Sequence, residues 1–170
     1  DVYYKGSHRA KQLYNMAIAS LQAERQLKQP TLLEQAKEAS LIDISLPDIK
    51  GKQQKLSDLK GKVVLLDFTA YQTDYSPEYN ILLAKIYKQF RDKGFEIYQV
   101  SLDNNENFWK VSASNLPWIC VRDEASIYST VANLYNVKNL PSAFLIDRTG
   151  AIQKRIASIE SISGEIQKLL

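Results

Sequence analysis

The sequence predicts an α/β sandwich built on a mixed β-sheet. Strand-like apolar runs alternate with amphipathic helical stretches from Val63 to Tyr135, the pattern of a sheet covered by helices. After Tyr135 come a hairpin and a helix, which add antiparallel strands to a sheet that begins parallel. Val63-Val64-Leu65-Leu66-Asp67-Phe68 is a continuous apolar run with a single carboxylate, the composition of a central strand buried on both faces.

The bulk numbers fit one such domain. A chain of 170 residues, 45% hydrophobic and 24% charged, is a globular balance with little room for two full cores. The net charge of +3 is spread along the chain, and its nearest approach to a cluster, Lys50, Lys52, Lys55, Lys60 and Lys62, is broken by Asp58. That reads as solvated surface, so no nucleic-acid partner is expected. One cysteine, Cys120, excludes an intrachain disulfide and a multi-thiolate metal site. One histidine, His8, leaves a His-based triad or zinc site without material. No Gly-rich phosphate loop is present, and neither a cofactor nor a metal is expected. No apolar run reaches bilayer length, so no transmembrane segment is expected. Asp1 opens no signal peptide or targeting pattern, and a start without Met points to a mature protein or an excised fragment.

Taken in order, Ala10, Leu13, Tyr14, Ala17, Ile18 and Leu21 follow helical spacing within His8 to Lys28. Pro30 interrupts, and Thr31 with Glu34 three residues on opens a second short helix to about Ala39. Residues 1–40 are therefore a helical arm, the end of a preceding domain or a linker, and residues 41–170 the main domain. Leu41 to Leu46 alternates as a strand, Asp48 to Gly51 is a turn, and Gln53 to Leu56 pairs back to complete an N-terminal hairpin. Ser57 to Lys62 is one helical turn closed by Gly61, leading into the central strand Val63 to Phe68.

Tyr79, Leu82, Leu83, Ile86, Tyr87 and Phe90 define the next helix face, with Gly94 as its stop. Ser76 as N-cap with Pro77 at the first helical position suits both residues, so the regular helix is expected to start at Ser76, with Thr73 to Tyr75 in a tight turn. Phe95 to Leu102 is a strand. Phe108, Trp109 and Val111 lie at helical spacing, Leu116 to Val121 is a strand with Pro117 at its start, and Ile127, Val131, Leu134 and Tyr135 mark a helix ended near Asn136. Ala143 to Asp147 and Ala151 to Ile156 form a hairpin about Arg148-Thr149-Gly150. Ser161 or Ser163 caps the last helix.

This order, with Gly61-Lys62-Val63-Val64-Leu65-Leu66-Asp67-Phe68, Lys93-Gly94-Phe95-Glu96-Ile97, Leu116-Pro117-Trp118, Leu140-Pro141 and Phe144-Leu145-Ile146-Asp147-Arg148-Thr149-Gly150, resembles the thioredoxin-like domains of the TlpA and ResA type. These are extracytoplasmic thiol-disulfide oxidoreductases related to the AhpC/TSA peroxiredoxins. The resemblance covers about Leu41 to Leu170. It implies a thioredoxin-like sandwich and an extracytoplasmic location, in the periplasm or cell envelope of a bacterium. In that family the central strand runs into a Trp-Cys-x-x-Cys turn. Here Gln72 stands for the Trp, Thr73 for the first Cys, Asp74 and Tyr75 for the intervening pair and Ser76 for the second Cys.

Thiol-disulfide exchange needs a thiolate to attack and a second sulfur to close the ring. Thr73 and Ser76 supply neither. By the same resemblance Leu140-Pro141 is the loop whose cis-proline flanks the redox pair, and Asp67 is the buried acid that serves the second Cys. Without that partner, desolvation raises the Asp67 pKa unless Thr69, Ser76 or water bonds to it. The resulting expectation is a family member that has lost its redox pair and serves as a non-catalytic binding or structural module. Its surface is Tyr71, Gln72, Thr73, Asp74, Tyr75 and Ser76 with Leu140 and Pro141, and its partner is a peptide or protein. Tyr79, Trp109 and Trp118 partly line that surface. The alternatives are a one-cysteine oxidoreductase or peroxidase using Cys120, and an accessory domain of a larger envelope protein. Cys120 lies in an apolar strand and reads as inert, with the nearby cation Arg122 taken to face away. Asp103-Asn104-Asn105-Glu106-Asn107 begins like a calcium loop but lacks its Gly and Glu, and is better read as a helix N-cap.

Overall fold

The computed structural model describes residues 42–170; the helical arm expected over residues 1–40 lies outside them. Strands β1 (Ser45–Pro47) and β2 (Gln53–Lys55) form the N-terminal hairpin, Ser45 opposite Lys55. β1 is shorter and later than the strand expected over Leu41 to Leu46, because the residues before it anchor the next segment instead. The Asp43 carboxylate accepts from the Ser57 N–H at 2.9 Å and the Ser57 hydroxyl at 2.7 Å, and the Ile44 carbonyl accepts from Leu56 N–H at 2.8 Å. The helical turn there is a 3-10 helix over Leu56–Leu59, and Gly61, at φ 95°, turns the chain into the sheet.

The sheet has five strands, β3 (Val63–Thr69), β4 (Phe95–Ser101), β5 (Ile119–Arg122), β6 (Ser142–Ile146) and β7 (Ile152–Ile156), in the order β5-β4-β3-β6-β7. β5, β4 and β3 run parallel, while β6 and β7 are antiparallel additions. Every residue of β3 and β4 is buried; β3 reads as a near-continuous apolar run for that reason, while β4 buries Glu96, Gln99 and Ser101 along with its apolar residues. β5 starts two residues after Pro117, which stays exposed and outside the ladder it cannot donate to.

Four helices, α1 (Ser76–Phe90), α2 (Glu106–Ala113), α3 (Thr130–Leu134) and α4 (Ile162–Leu169), complete the sandwich among the described residues. Val63, Leu65 and Ile97 pack with Leu83, Ile86 and Phe90 of α1, Trp109 of α2 and Ile162 and Ile166 of α4. On the other face Val64, Leu66, Phe68, Tyr98 and Val100 meet Ile44, Leu56, Ala132 of α3 and Tyr135. The alternation of β3 between these two cores is the period-two rule applied to a strand with no solvent face.

Two helix expectations are corrected. Leu82 is 41% exposed and is not part of the core face of α1. Ile127 precedes α3 rather than opening it: Ser126 takes φ 51°, a 3-10 turn covers Ser126–Tyr128, and both Ile127 and Tyr128 are 80% exposed. The described residues contain no helix long and apolar enough to cross a membrane.

Candidate functional site

At the C-terminal end of β3 its two faces carry different chemistry. Phe68 continues one apolar core, while Asp67 and Thr69 fall on the face that meets α1. Register sets Asp67 opposite Gln99 of β4 and Ala143 of β6, and Gln99 opposite Cys120 of β5. A polar row therefore crosses the sheet where the apolar core ends. Asp67 is fully buried, and among the described residues no cation pairs with it.

Its two oxygens are held by neutral donors. Tyr79 Oη, from the first turns of α1, donates to Oδ1 at 2.7 Å, and Gln99 Nε2 donates to Oδ2 at 2.9 Å. Desolvation outweighs those two bonds and lifts the Asp67 pKa to about 6. The direction follows the sequence expectation, but the partners do not: neither Thr69 nor Ser76 bonds to it. The Thr69 hydroxyl is buried without a partner, and Ser76 Oγ accepts from Asn80 Nδ2 at 3.2 Å.

Gln99 is the hub. Its Oε1 accepts from Tyr71 Oη at 2.7 Å and Trp118 Nε1 at 2.9 Å, while its Nε2 donates to Asp67 and, at 3.0 Å, to Asn80 Oδ1. Four partners on one side chain fix which end of the amide faces which neighbour. Through it Asp67 is tied to Tyr71 at the start of the turn and, by way of Asn80, to Ser76 at its end.

The turn itself is held from below. Asp103, just past β4 and 2% exposed, accepts from the Tyr71 N–H at 2.8 Å, the Gln72 N–H at 3.0 Å and the Ser101 hydroxyl at 2.7 Å. The N-cap of α2 is Asn105, whose side chain accepts from Phe108 N–H at 3.0 Å, so the N-cap reading of this segment holds for Asn105 while Asp103 serves the turn. Thr73 folds back, its hydroxyl donating to the Ala70 carbonyl at 2.6 Å, and Ser76 N–H reaches the Thr73 carbonyl at 3.1 Å.

The first α-helical bond runs from Tyr79 N–H to the Tyr75 carbonyl at 3.1 Å, so α1 begins at Ser76 as expected. The N-cap position falls on Tyr75 rather than Ser76, without a side-chain cap, and Pro77 is the second helical residue. Its missing N–H is still one of the four with no intrahelical acceptor, so the proline costs the helix nothing there.

Burial sorts the expected surface. Tyr71 (5% exposed), Ser76 (2%) and Trp118 point into the network and offer no contact area, and Trp109 is buried in the apolar core. Gln72 and Asp74 are exposed, Thr73 and Tyr75 half-buried, and the Tyr75 ring packs edge-on against Tyr79 at 6.1 Å. The Leu140-Pro141 bond is cis, with Pro141 exposed, and Ser142 pairs with Phe68, which brings this loop to the end of β3 where the turn begins.

Cys120 is 6% exposed with Sγ 3.9 Å from Gln99 Oε1, and burial pushes its thiol up to about 12. Arg122, two residues on in the same strand, shares its face instead of opposing it. Its guanidinium is committed to the carbonyls of Asp103 at 2.9 Å and Asn104 at 3.3 Å.

The AhpC/TSA family pattern matches residues 38–155. The chain belongs to the AhpC/TSA family. Among its relatives, the thiol-disulfide oxidoreductase ResA of Bacillus cereus is 30% identical over 129 residues, covering 72% of this chain and 72% of that protein. ResA of Bacillus subtilis is 34% identical over 113 residues, covering 64% of this chain and 60% of that protein. Among solved structures, a thioredoxin-like protein from Bacteroides vulgatus superposes with a TM-score of 0.71 at 51% identity, covering 76% of this chain and 86% of the other. A thiol-disulfide oxidoreductase from Bacteroides fragilis gives a TM-score of 0.71 at 30% identity, covering 78% of this chain and all of its own. The fold is thus thioredoxin-like, and this AhpC/TSA member has a single cysteine in the whole chain, 44 positions beyond Ser76 and buried in β5.

Proposed function

We propose that this AhpC/TSA-family domain has lost dithiol catalysis and works as a non-catalytic binding module in an extracytoplasmic compartment of a bacterium, with residues 41–170 as the working unit. The observation that carries the reading is the chemistry at the two former redox positions. Thr73 donates its hydroxyl to a backbone carbonyl, and Ser76 Oγ is buried as an acceptor for Asn80. Neither group is a sulfur, and no histidine exists among residues 42–170 to activate a hydroxyl. The acid that serves the second Cys in the resemblance is held by Tyr79 and Gln99 instead.

What the site offers is recognition. Gln72 and Asp74 present hydrogen-bonding groups, half-buried Thr73 and Tyr75 add edges, and the Leu140-Pro141 loop borders them. A peptide or protein segment fits such a mixed polar and aromatic rim. Against a one-cysteine peroxidase stand the burial of Cys120 and its raised pKa, since the thiolate is the reactive form.

Affinity capture from an envelope extract tests the reading, using the full chain and a Gln72→Arg/Asp74→Arg variant in reducing and in oxidising buffer. A partner retained in both buffers and lost with the variant supports it. Capture only under oxidising conditions, abolished by Cys120→Ser, would place function at the thiol and overturn it.

A further inference from the structure

The polar row makes α1 the element whose bond to Asp67 can reverse when the carboxylate takes up a proton. Ionised, the carboxylate accepts twice, from Tyr79 Oη and Gln99 Nε2. Protonated, it brings a donor to a place where both neighbours already donate. Gln99 has no way to yield, because reversing its amide would break the bonds that its Oε1 receives from Tyr71 and Trp118. Tyr79 yields readily, since a phenol rotates about its C–O bond and both donates and accepts.

Once Tyr79 accepts from Asp67, its own hydrogen needs a new acceptor. The Tyr75 hydroxyl is buried with no partner, on the ring stacked edge-on against Tyr79. Tyr75 belongs to the recognition turn, and its carbonyl takes the first α-helical bond of α1 from Tyr79 N–H.

We infer that Asp67, Tyr79 and Tyr75 form a proton-operated relay that resets the N-terminal turn of α1. No covalent step is involved: one proton enters from solvent, and hydrogen bonds exchange direction. Desolvation places the Asp67 midpoint at about 6. The other titratable groups facing this centre are the phenols of Tyr71 and Tyr79 and the thiol of Cys120, all pushed upward by burial and silent in this range. Asp103 lies across the turn on the amides of Tyr71 and Gln72, and Asp74 and Glu78 are the carboxylates next to Tyr75 and Tyr79 in the chain.

A functional consequence for binding rests on the proposed recognition role of the turn; the relay itself is read without any ligand, so the two fail separately. The test is the amide NMR spectrum of the full ligand-free chain from about pH 8 to about pH 5. The expected result is one shared midpoint near 6 for the Tyr75 and Tyr79 amides. It disappears in Asp67→Asn, whose spectrum at high pH already resembles the acid form, and it persists in Asp103→Asn. Tyr79→Phe removes a bond to the ionised form and moves the midpoint up by about half a pH unit or more. Absence of the titration in the native chain, its survival in Asp67→Asn, its loss in Asp103→Asn, or an unmoved midpoint in Tyr79→Phe would each overturn the relay. The last keeps the inference falsifiable if Asp67→Asn does not fold.

Discussion

Replacing Asp67 with Asn keeps the shape of the side chain and removes its titration, so it isolates the cost of a buried carboxylate with no cation beside it. The folded group titrates near 6 against an ordinary value of 3.8. That difference, about 2 units at about 1.4 kcal/mol each, amounts to about 3 kcal/mol. The sign follows from proton binding: the folded state holds the proton more tightly than the unfolded chain. The stabilising term is therefore fully present below the unfolded pKa and is lost as pH rises through about 6. Between about pH 7.5 and about pH 4.5 the native protein should gain about 2 kcal/mol from this group alone. Asp48 and Asp147, held below the usual carboxylate range by hydrogen bonds, work in the opposite direction. They are common to both proteins and cancel in the comparison. Urea unfolding followed by the fluorescence of Trp109 and Trp118 reads the difference directly. The native-minus-variant stability should rise by about 2 kcal/mol on acidification, and a difference flat to within about 0.5 kcal/mol would refute the argument that burial controls Asp67.

Asp103→Ala removes the acceptor of the Tyr71 and Gln72 amides and of the Ser101 hydroxyl. The loss should cost about 3 kcal/mol in urea unfolding, and hydrogen exchange at the Tyr71 amide should accelerate; an unchanged exchange rate would show that the turn stands without it. Leu65→Ala in the fully buried centre of β3 should cost about 3 kcal/mol by the same unfolding assay, and a cost below about 1 kcal/mol would contradict its place in the core. Cys120 should resist thiol reagents in the native protein at neutral pH and react at once in denaturant, whereas rapid native labelling would reopen the one-cysteine reading.

Much of the frame was legible because backbone chemistry dictates it. Val63 to Phe68 had to be central, since six consecutive buried positions leave no face for water. Pro77 limited how early α1 starts; the α-helix itself ends at Phe90, before the expected stop, and Gly94, at φ 92°, closes the 3-10 turn Arg91–Lys93 that follows it. The Leu140-Pro141 loop was found by resemblance alone. The residues that hold Asp67 and the turn in place were not legible. Gln99 within Phe95 to Ser101 looks like an ordinary polar alternation, and only the register Asp67, Gln99, Cys120 shows that it faces a buried acid. Asp103 reads from sequence as part of a helix cap, because its true partners, the amides of Tyr71 and Gln72, lie more than thirty positions away. Helical spacing puts Tyr79 on the core face of α1, where its ring packs, but its hydroxyl carries the contact to Asp67. Helical periodicity sees the ring and not the oxygen. Ile127 failed for the opposite reason: its apolar spacing was right, but Ser126 at φ 51° turns the chain before the helix begins.

The most direct test of the central claim is reduction of insulin disulfides by the full chain with dithiothreitol as electron source, beside a Cys120→Ser variant that contains no sulfur nucleophile. With hydroxyls and no sulfur at Thr73 and Ser76, and with Cys120 buried, the expected rate is the same for both and equal to that of dithiothreitol alone. Turnover by the native chain clearly above the variant would contradict it and restore this domain to the catalytic members of its family.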